Sequence, residues 1–175
     1  MKKSVFIFIA IGALTLSAFA SDQTRTLKFD VAIDQATFSG VGLPAMGPPQ
    51  RGNTFIVLGK IFPSGTLLVG SQQNSPNAAG NIGDFYCRAT FANNIPTAPG
   101  SPDLFDTQLF RFNAQDQITS DGLESSVGQW MRPVTGGTGI YLAATGSERI
   151  EVIGTNATGG FNERVTFKLV DHNED

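Results

Sequence analysis

Short runs of alternating apolar and polar residues recur along this chain, and no segment sustains the 3.6-residue period of a helix. In residues 26–33 every second residue is apolar: Leu27, Phe29, Val31 and Ile33. Residues 84–91 alternate in the same way, with one face formed by Phe85, Cys87, Ala89 and Phe91. Because successive side chains of a strand point to opposite faces, both runs predict strands with one buried face.

Further apolar runs predict strands over residues 54–62, 66–69, 106–113, 141–144, 149–153 and 164–170, and between them a short turn leads into residues 118–123 and residues 127–134 approach a glycine-rich corner. The intervening stretches 39–52, 71–83 and 93–102 are rich in Gly, Pro, Asn and Ser, which is typical of loops. This pattern predicts an all-β sandwich or barrel. A count of about eight strands allows a barrel to close around side chains or one small ligand.

The predicted strand Thr54–Phe62 differs from the others because it is apolar at both parities. Such a strand must be covered on both sides. The interior of a barrel would cover one side. A neighbouring subunit would cover the other, which predicts a homo-oligomer with residues 55–62 at or near the contact.

The first twenty residues have the pattern of a secretory signal peptide. Lys2 and Lys3 precede the apolar run 5–16, and Ala18-Phe19-Ala20 forms a cleavage site. We therefore expect a secreted or periplasmic protein with one domain, residues 21–175, of which 171–175 form a disordered tail. No later apolar run approaches the length of a membrane span.

The net charge and the counts of histidine and cysteine limit the partners and the catalytic or metal sites that this chain can have. Without Lys2 and Lys3 the chain has 10 basic and 15 acidic residues, which argues against nucleic acid and anionic membranes as partners. The single histidine, His172, lies in the tail, and Cys87 is the single cysteine. These counts argue against a catalytic triad, a zinc site and an intrachain disulfide, so we expect neither a metal nor a cofactor.

One polar strand face supplies candidate ligand-binding residues. Asp84, Tyr86 and Arg88 share the face opposite Phe85, and Arg111 lies on a neighbouring predicted strand. If this face points into a barrel, an Asp–Arg pair would orient a hydroxyl or carbonyl group of a ligand. The alternative is that these residues form the solvated outer side of the strand.

A glycine-rich corner carries a family resemblance. The stretch Val134–Gly146, VTGGTGIYLAATG, resembles the GGTG-x-Y-x-x-A-x-G signature of the allene oxide cyclase and dirigent barrel superfamily. The resemblance extends over residues 83–170. It implies an eight-stranded antiparallel closed barrel, commonly a homotrimer, with an apolar cavity at one end. The corner itself supplies the structural residues of the motif: Gly136, Gly137, Gly139, Tyr141 and Gly146.

The resemblance also suggests functions. Dirigent proteins hold phenoxy radicals or quinone methides and steer their coupling, so we expect a small hydrophobic ligand, phenolic or lipid-derived. One alternative is an isomerase or cyclase of the allene oxide cyclase type. In it Asp30 or Asp34 would replace the family's early glutamate, and Asp30 or Asp84 would be the acid–base group. Another is a structural or partner-binding envelope protein with a filled barrel.

Overall fold

The computed structural model describes residues 23–43, 49–70, 74–93, 104–124 and 129–171. The predicted signal peptide and the tail beyond Asp171 lie outside them, as do residues 94–102 of the predicted loop. A short 3₁₀ turn, Gly139–Tyr141, lies between the sixth and seventh of the strands in this part of the chain. The strands are β1 Gln23–Val41, β2 Thr54–Pro63, β3 Gly83–Phe91, β4 Leu104–Arg111, β5 Gln117–Glu124, β6 Gln129–Thr138, β7 Thr145–Thr155 and β8 Phe161–Asp171.

The eight strands form one closed antiparallel barrel, as predicted. Each strand pairs with the next, and β8 pairs with β1 to complete the circle. Each of the eight described strands therefore has a paired strand on both sides. None of the helices among the described residues has the length and apolar character needed to cross a membrane.

Alternation along the strands identifies the inner face. Phe29 and Val31 on β1, and Phe85, Cys87 and Ala89 on β3, are buried in the barrel core. The two runs that alternate most clearly in the sequence are therefore strands, and their apolar faces point inward. Their polar neighbours consequently point outward.

The end of the barrel where β2 connects to β3 and β4 connects to β5 is filled by aromatic rings. Phe110 lies within 5.3 Å, centroid to centroid, of the rings of Phe29, Phe85 and Phe167. Phe112 joins them and contacts Tyr141 at 5.5 Å. We call this part of the interior the aromatic half.

The predicted strand 141–144 is wrong. Residues 139–141 form the 3₁₀ turn instead, in which Leu142 N–H donates to the Gly139 carbonyl and Ala144 N–H to the Tyr141 carbonyl. The glycine corner allows this tight turn. Gly139 has a φ of +62°, and a Cβ on Gly137 would lie 2.5 Å from the Tyr141 carbonyl oxygen. The turn places the Tyr141 ring over the end of the aromatic half.

The predicted loop 39–52 begins too early, because β1 continues to Val41. The pairing of β1 with β2 shifts register between Asp34 and Ser39 and then continues. In this segment the Phe38 ring stacks on Phe55 with centroids 4.9 Å apart. A bulge changes which residues of the strand share a face. A simple alternation pattern therefore does not detect the part of β1 beyond it.

The predicted strand 66–69 is also wrong. This segment crosses the outer surface of the barrel, where Leu67 packs in a small cluster with Ala32, Phe62 and Ile153. The segment is held by Asp30, whose Oδ2 accepts hydrogen bonds from Gly65 N–H at 2.8 Å and Leu67 N–H at 3.0 Å. The outer side of Phe62 is therefore covered by the chain itself and needs no neighbouring subunit.

The pair Leu67 and Leu68 tests this packing. Leu67 is 3% exposed and Leu68 is 64% exposed. We expect Leu67→Ala to lower the free energy of unfolding by about 2–3 kcal/mol, because it leaves a cavity against Phe62. Leu68→Ala should change it by less than about 0.5 kcal/mol. Urea denaturation measures both, and equal effects of the two substitutions would contradict the model of this segment.

Candidate functional site

The other half of the interior is charged. The strands β4, β5, β6, β7 and β8 each direct an ionisable side chain inward, and these side chains are Asp106, Glu124, Arg132, Glu148 and Glu163. We call this region the charged half. Among the described residues it contains four carboxyl groups and one guanidinium group.

Arg132 lies at the centre of the cluster and its side chain is fully buried. Its guanidinium donates to Asp106 and to Glu124, the latter at 2.7 Å. Its Nε atom lies 3.3 Å from Glu148 Oε2 without making a hydrogen bond. On the adjacent strand a Cβ at Gly122 would come within 2.9 Å of Arg132 Cβ, so glycine leaves room for the arginine.

Three smaller groups extend the network. Gln108 Nε2 donates to Glu124 Oε2 at 3.0 Å, and the Ser120 hydroxyl donates to Glu148 Oε2. The Cys87 thiol lies 3.8 Å from Asp106 Oδ2. Burial, followed by the charges of Asp106 and Glu124, raises the pKa of this thiol well above its ordinary value, so Cys87 stays protonated.

Several buried polar atoms of the charged half have no hydrogen-bond partner. They include three acceptor oxygens: Gln108 Oε1, Glu148 Oε1 and Glu163 Oε2. These three residues are at most 1% exposed. Unpaired buried polar atoms are rare in folded proteins because each one costs free energy. Their concentration at one place marks the charged half as the strongest candidate for a functional site.

Burial also changes the acidity of the cluster. It raises the pKa of Glu163 to about 8 and that of Glu148 to about 7, although Arg132 opposes both shifts. Burial and the neighbouring carboxylates Glu163 and Asp106 raise the pKa of Glu124 well above its ordinary value. Burial alone would lower the pKa of Arg132, but the surrounding carboxylates raise it. At neutral pH the cluster therefore contains both protonated and ionised carboxyl groups.

Apolar side chains surround the charged half toward the end of the barrel where β1 connects to β2 and β3 to β4. These residues, which we call the apolar rim, are Ile33, Phe55, Phe91, Leu104 and Trp130. The Phe55 and Phe91 rings contact each other at 5.5 Å. A polar floor beneath apolar walls is the usual composition of a small-molecule site.

The polar face predicted as a ligand site lies elsewhere. Asp84, Tyr86 and Arg88 alternate with buried core residues and lie on the outer face of β3, beside Arg111 on β4. Asp84 pairs with Arg111 and Lys60, which lower its pKa, and the Arg111 guanidinium lies 5.2 Å from the Tyr86 ring centroid. These residues do not line the interior, and their role in ligand binding stays a prediction for the outer surface.

Asp30, the other candidate acid–base residue, is fully buried but also outside the interior. Its Oδ1 accepts from Arg164 Nε at 3.1 Å, and its Oδ2 accepts the two backbone bonds that hold the segment after Pro63. The environment of Asp30 is therefore that of a structural carboxylate beneath a surface loop. It does not reach the charged half.

The sequence contained a signal for the residues that were missed. Phe110 and Phe112 share one face of the predicted strand 106–113, and Asp106 and Gln108 precede them at the same two-residue spacing. Glu163 likewise precedes Val165. Extending each apolar face backwards by one or two positions would have placed these polar residues inside the barrel. Polar residues at such positions are not recognised as inward, because inward positions are expected to be apolar.

Solved structures share this architecture. A pyocyanin demethylase superposes with a TM-score of 0.58 at 19% identity, covering 83% of this chain and 99% of that one. The pterocarpan synthase dirigent protein GePTS1 gives 0.60 at 13% identity, with 88% of each chain covered. The exo-specific intermolecular Diels-Alderase AbnU gives 0.53 at 14% identity, with 83% and 98% covered.

No family model and no curated protein matches the sequence. At these identities the likeness establishes the fold alone. It agrees with the resemblance of the glycine corner around Gly137, which the structure places at the end of the aromatic half. The chain therefore shares the closed barrel fold of these solved structures, a dirigent protein among them.

Proposed function

We propose that this protein binds a small hydrophobic molecule, phenolic or lipid-derived, in the charged half and steers its reaction. The observation that carries the proposal is the group of unpaired acceptor oxygens on Gln108, Glu148 and Glu163, buried below the apolar rim. A bound molecule with an apolar body and one polar end would satisfy both features. Its body would contact the rim, and its polar end would meet the carboxyl groups.

Energetic reasoning supports this proposal over a purely structural role for the cluster. A buried carboxyl group without a partner costs free energy, and replacing buried ionic groups by apolar ones of similar size is often neutral or stabilising. The aromatic half of the same barrel is filled with close ring contacts. The charged half thus retains an unfavourable arrangement of the kind found at functional sites.

The names of the structural relatives support small-molecule chemistry in a general way. They are a demethylase, a pterocarpan synthase dirigent protein and a Diels-Alderase, so they differ in the reaction they name. A shared fold hosts different chemistries through different site residues. The ligand of this chain must therefore be argued from its own interior.

A second candidate function is an isomerase or cyclase that works by proton transfer. It is favoured by the pKa values of about 7 for Glu148 and about 8 for Glu163, which lie close to neutral pH. Groups with such values can both donate and accept protons under physiological conditions. In this version Glu148 and Glu163 take the acid–base role that the sequence suggested for Asp30 or Asp84.

The proposal also includes export and self-association. The signal-peptide pattern of residues 1–20 supports a secreted or periplasmic location. Exposed apolar side chains on adjoining parts of β1 and β2 support a homo-oligomer, with a trimer as the implied form: Val41, Ile56 and Leu58. Exposed apolar patches of this kind commonly mark interaction surfaces.

The pH dependence of stability tests the protonation of the cluster. A raised pKa in the folded state means that the folded chain binds more protons than the unfolded chain between about pH 4.3 and 8. The free energy of unfolding should therefore fall as pH rises from 5.5 to 8, by up to about 1.4 kcal/mol per pH unit for each such proton, and then level off. Glu163→Gln should reduce this slope, and Glu151→Gln, on the outer face, should not. Stability that rises over this range would contradict the assignment.

The location of the ligand is tested by native mass spectrometry of protein purified from its producing cells. We expect a reproducible small-molecule mass on the wild-type protein and on Asp84→Asn. Glu148→Gln and Glu163→Gln should reduce its occupancy, because hydrogen bonds to charged groups contribute about 1.5–3 kcal/mol. Loss of the mass in Asp84→Asn alone would place the site on the outer surface instead. A wild-type protein that carries no ligand and shows no thermal shift with any hydrophobic compound in a broad screen would contradict the function.

The oligomer is tested by sedimentation. Ile56→Lys and Leu58→Lys should dissociate it, because each places a charge in the proposed apolar contact. Ile82→Lys is the matched control, since Ile82 is 45% exposed and precedes β3 at the opposite end of the barrel. A monomeric wild-type protein, or equal effects of all three variants, would contradict this contact.

A further inference from the structure

We propose that the ligand of the charged half is a small organic cation, an amine or a nitrogen heteroaromatic cation that carries N–H donors. This inference rests on the proposed function and specifies the chemical class of the ligand. It stands on two independent observations: the imbalance of charge around Arg132, and the kind of atom left without a partner.

The charge imbalance is large for a buried site. Four carboxyl groups, on Asp106, Glu124, Glu148 and Glu163, surround the single guanidinium of Arg132. Within the described residues no second cation enters the charged half. The other basic side chain with an inward parity, Arg25, lies at the far end over the Tyr141 ring. Buried charges are normally paired, so the site would lack positive charge whenever all four carboxyl groups are ionised.

The unpaired oxygens of the charged half also favour a ligand that carries hydrogen-bond donors. Gln108 Oε1, Glu148 Oε1 and Glu163 Oε2 are all oxygens that accept hydrogen bonds. Arg132 donates to Asp106 and Glu124, while its Nε and the Trp130 Nε1 atom in the apolar rim are buried donors without a partner. A ligand that satisfies the three oxygens brings donors, and a protonated amine or an N–H of a cationic ring brings both donors and charge. No group of three or more potential ligands in the described part of the chain is arranged to hold a metal ion, so the carboxyl groups are not an evident metal site.

The walls suit the apolar body of such a ligand. Trp130 lies on β6 two residues before Arg132, and Phe91 and Phe55 lie on β3 and β2, on the opposite side of the barrel. Aromatic ring faces attract organic cations, most strongly where water is excluded. The rim can therefore contribute to binding of the positive charge as well as of the apolar surface.

Protons balance the site while it is empty. Every ionisable group that faces Glu163 across the interior comes from a named strand: Cys87 on β3, Asp106 on β4, Glu124 on β5, Arg132 on β6 and Glu148 on β7. The raised pKa values of Glu148 and Glu163 mean that these groups hold protons near neutral pH. A cation that enters must displace such protons. Its affinity should therefore rise with pH up to about 8, and a neutral ligand should not show this dependence.

Three probes of one size separate the charge classes. Benzylamine is protonated below pH 8.5, benzyl alcohol is neutral and benzoate is anionic, and all three share the same ring. Calorimetric titration of the full-length wild-type protein at pH 6, 7 and 8, in two buffers of different ionisation enthalpy, gives affinity and proton release together. We expect benzylamine to bind at least about tenfold more tightly than the alcohol at pH 8. Its affinity should fall by up to about tenfold per pH unit toward pH 6 for each proton displaced, with proton release, and benzoate should not bind.

Substitutions test whether benzylamine binds in the charged half. Glu163→Gln should weaken benzylamine binding by about tenfold or more and leave benzyl alcohol unchanged. Glu148→Gln provides a second test if Glu163→Gln fails to fold, and Glu151→Gln on the outer face should bind all probes as the wild type does. Equal binding of the amine and the alcohol, or amine binding without pH dependence, would overturn the cationic class and leave the ligand-binding proposal standing. Binding of none of the three probes would also overturn this inference, and the native ligand mass would then decide the proposed function separately.

Discussion

Closure of the barrel forces every second side chain of each strand into a common interior, and this constraint determines what the chain can do. An open sheet could direct polar residues to solvent at either face, but an inward position of a closed barrel has no such outlet. Five successive strands nevertheless direct Asp106, Glu124, Arg132, Glu148 and Glu163 inward. These groups can only interact with one another, with protons or with a molecule that enters.

Arg132 reduces the cost of burying these carboxyl groups. Its guanidinium joins carboxyl groups from β4, β5 and β7 to its own strand, so one buried cation links four consecutive walls of the barrel. A planar guanidinium with several donors can serve multiple carboxylates at once, which a lysine could not do with the same geometry. One positive charge is still insufficient for the whole cluster. Burial, together with the neighbouring carboxylates, therefore still raises the pKa values of Glu148 and Glu163.

The fold was largely predictable from sequence, and the site was not. Period-two alternation identified β1 and β3 because their inward residues are apolar and their outward residues are polar. The pattern failed at residues 66–69, where Leu67 packs against the outside of the barrel. It also failed for the site, because inward carboxyl groups look like outward ones when each position is judged by polarity alone. Which of two polar sets lies inside is decided by barrel closure, which is a property of all eight strands together.

The two halves of the interior differ in a way that bears on function. In the aromatic half the rings of Phe29, Phe85, Phe110 and Phe167 fill the interior with close ring contacts. A barrel that served only as a structural element could continue the same packing along its whole length, at equal or greater stability. The charged half instead keeps ionisable groups and unpaired oxygens at positions where apolar side chains would fit the fold. Stability therefore does not explain this composition, and the proposed binding of a molecule that supplies hydrogen-bond donors would.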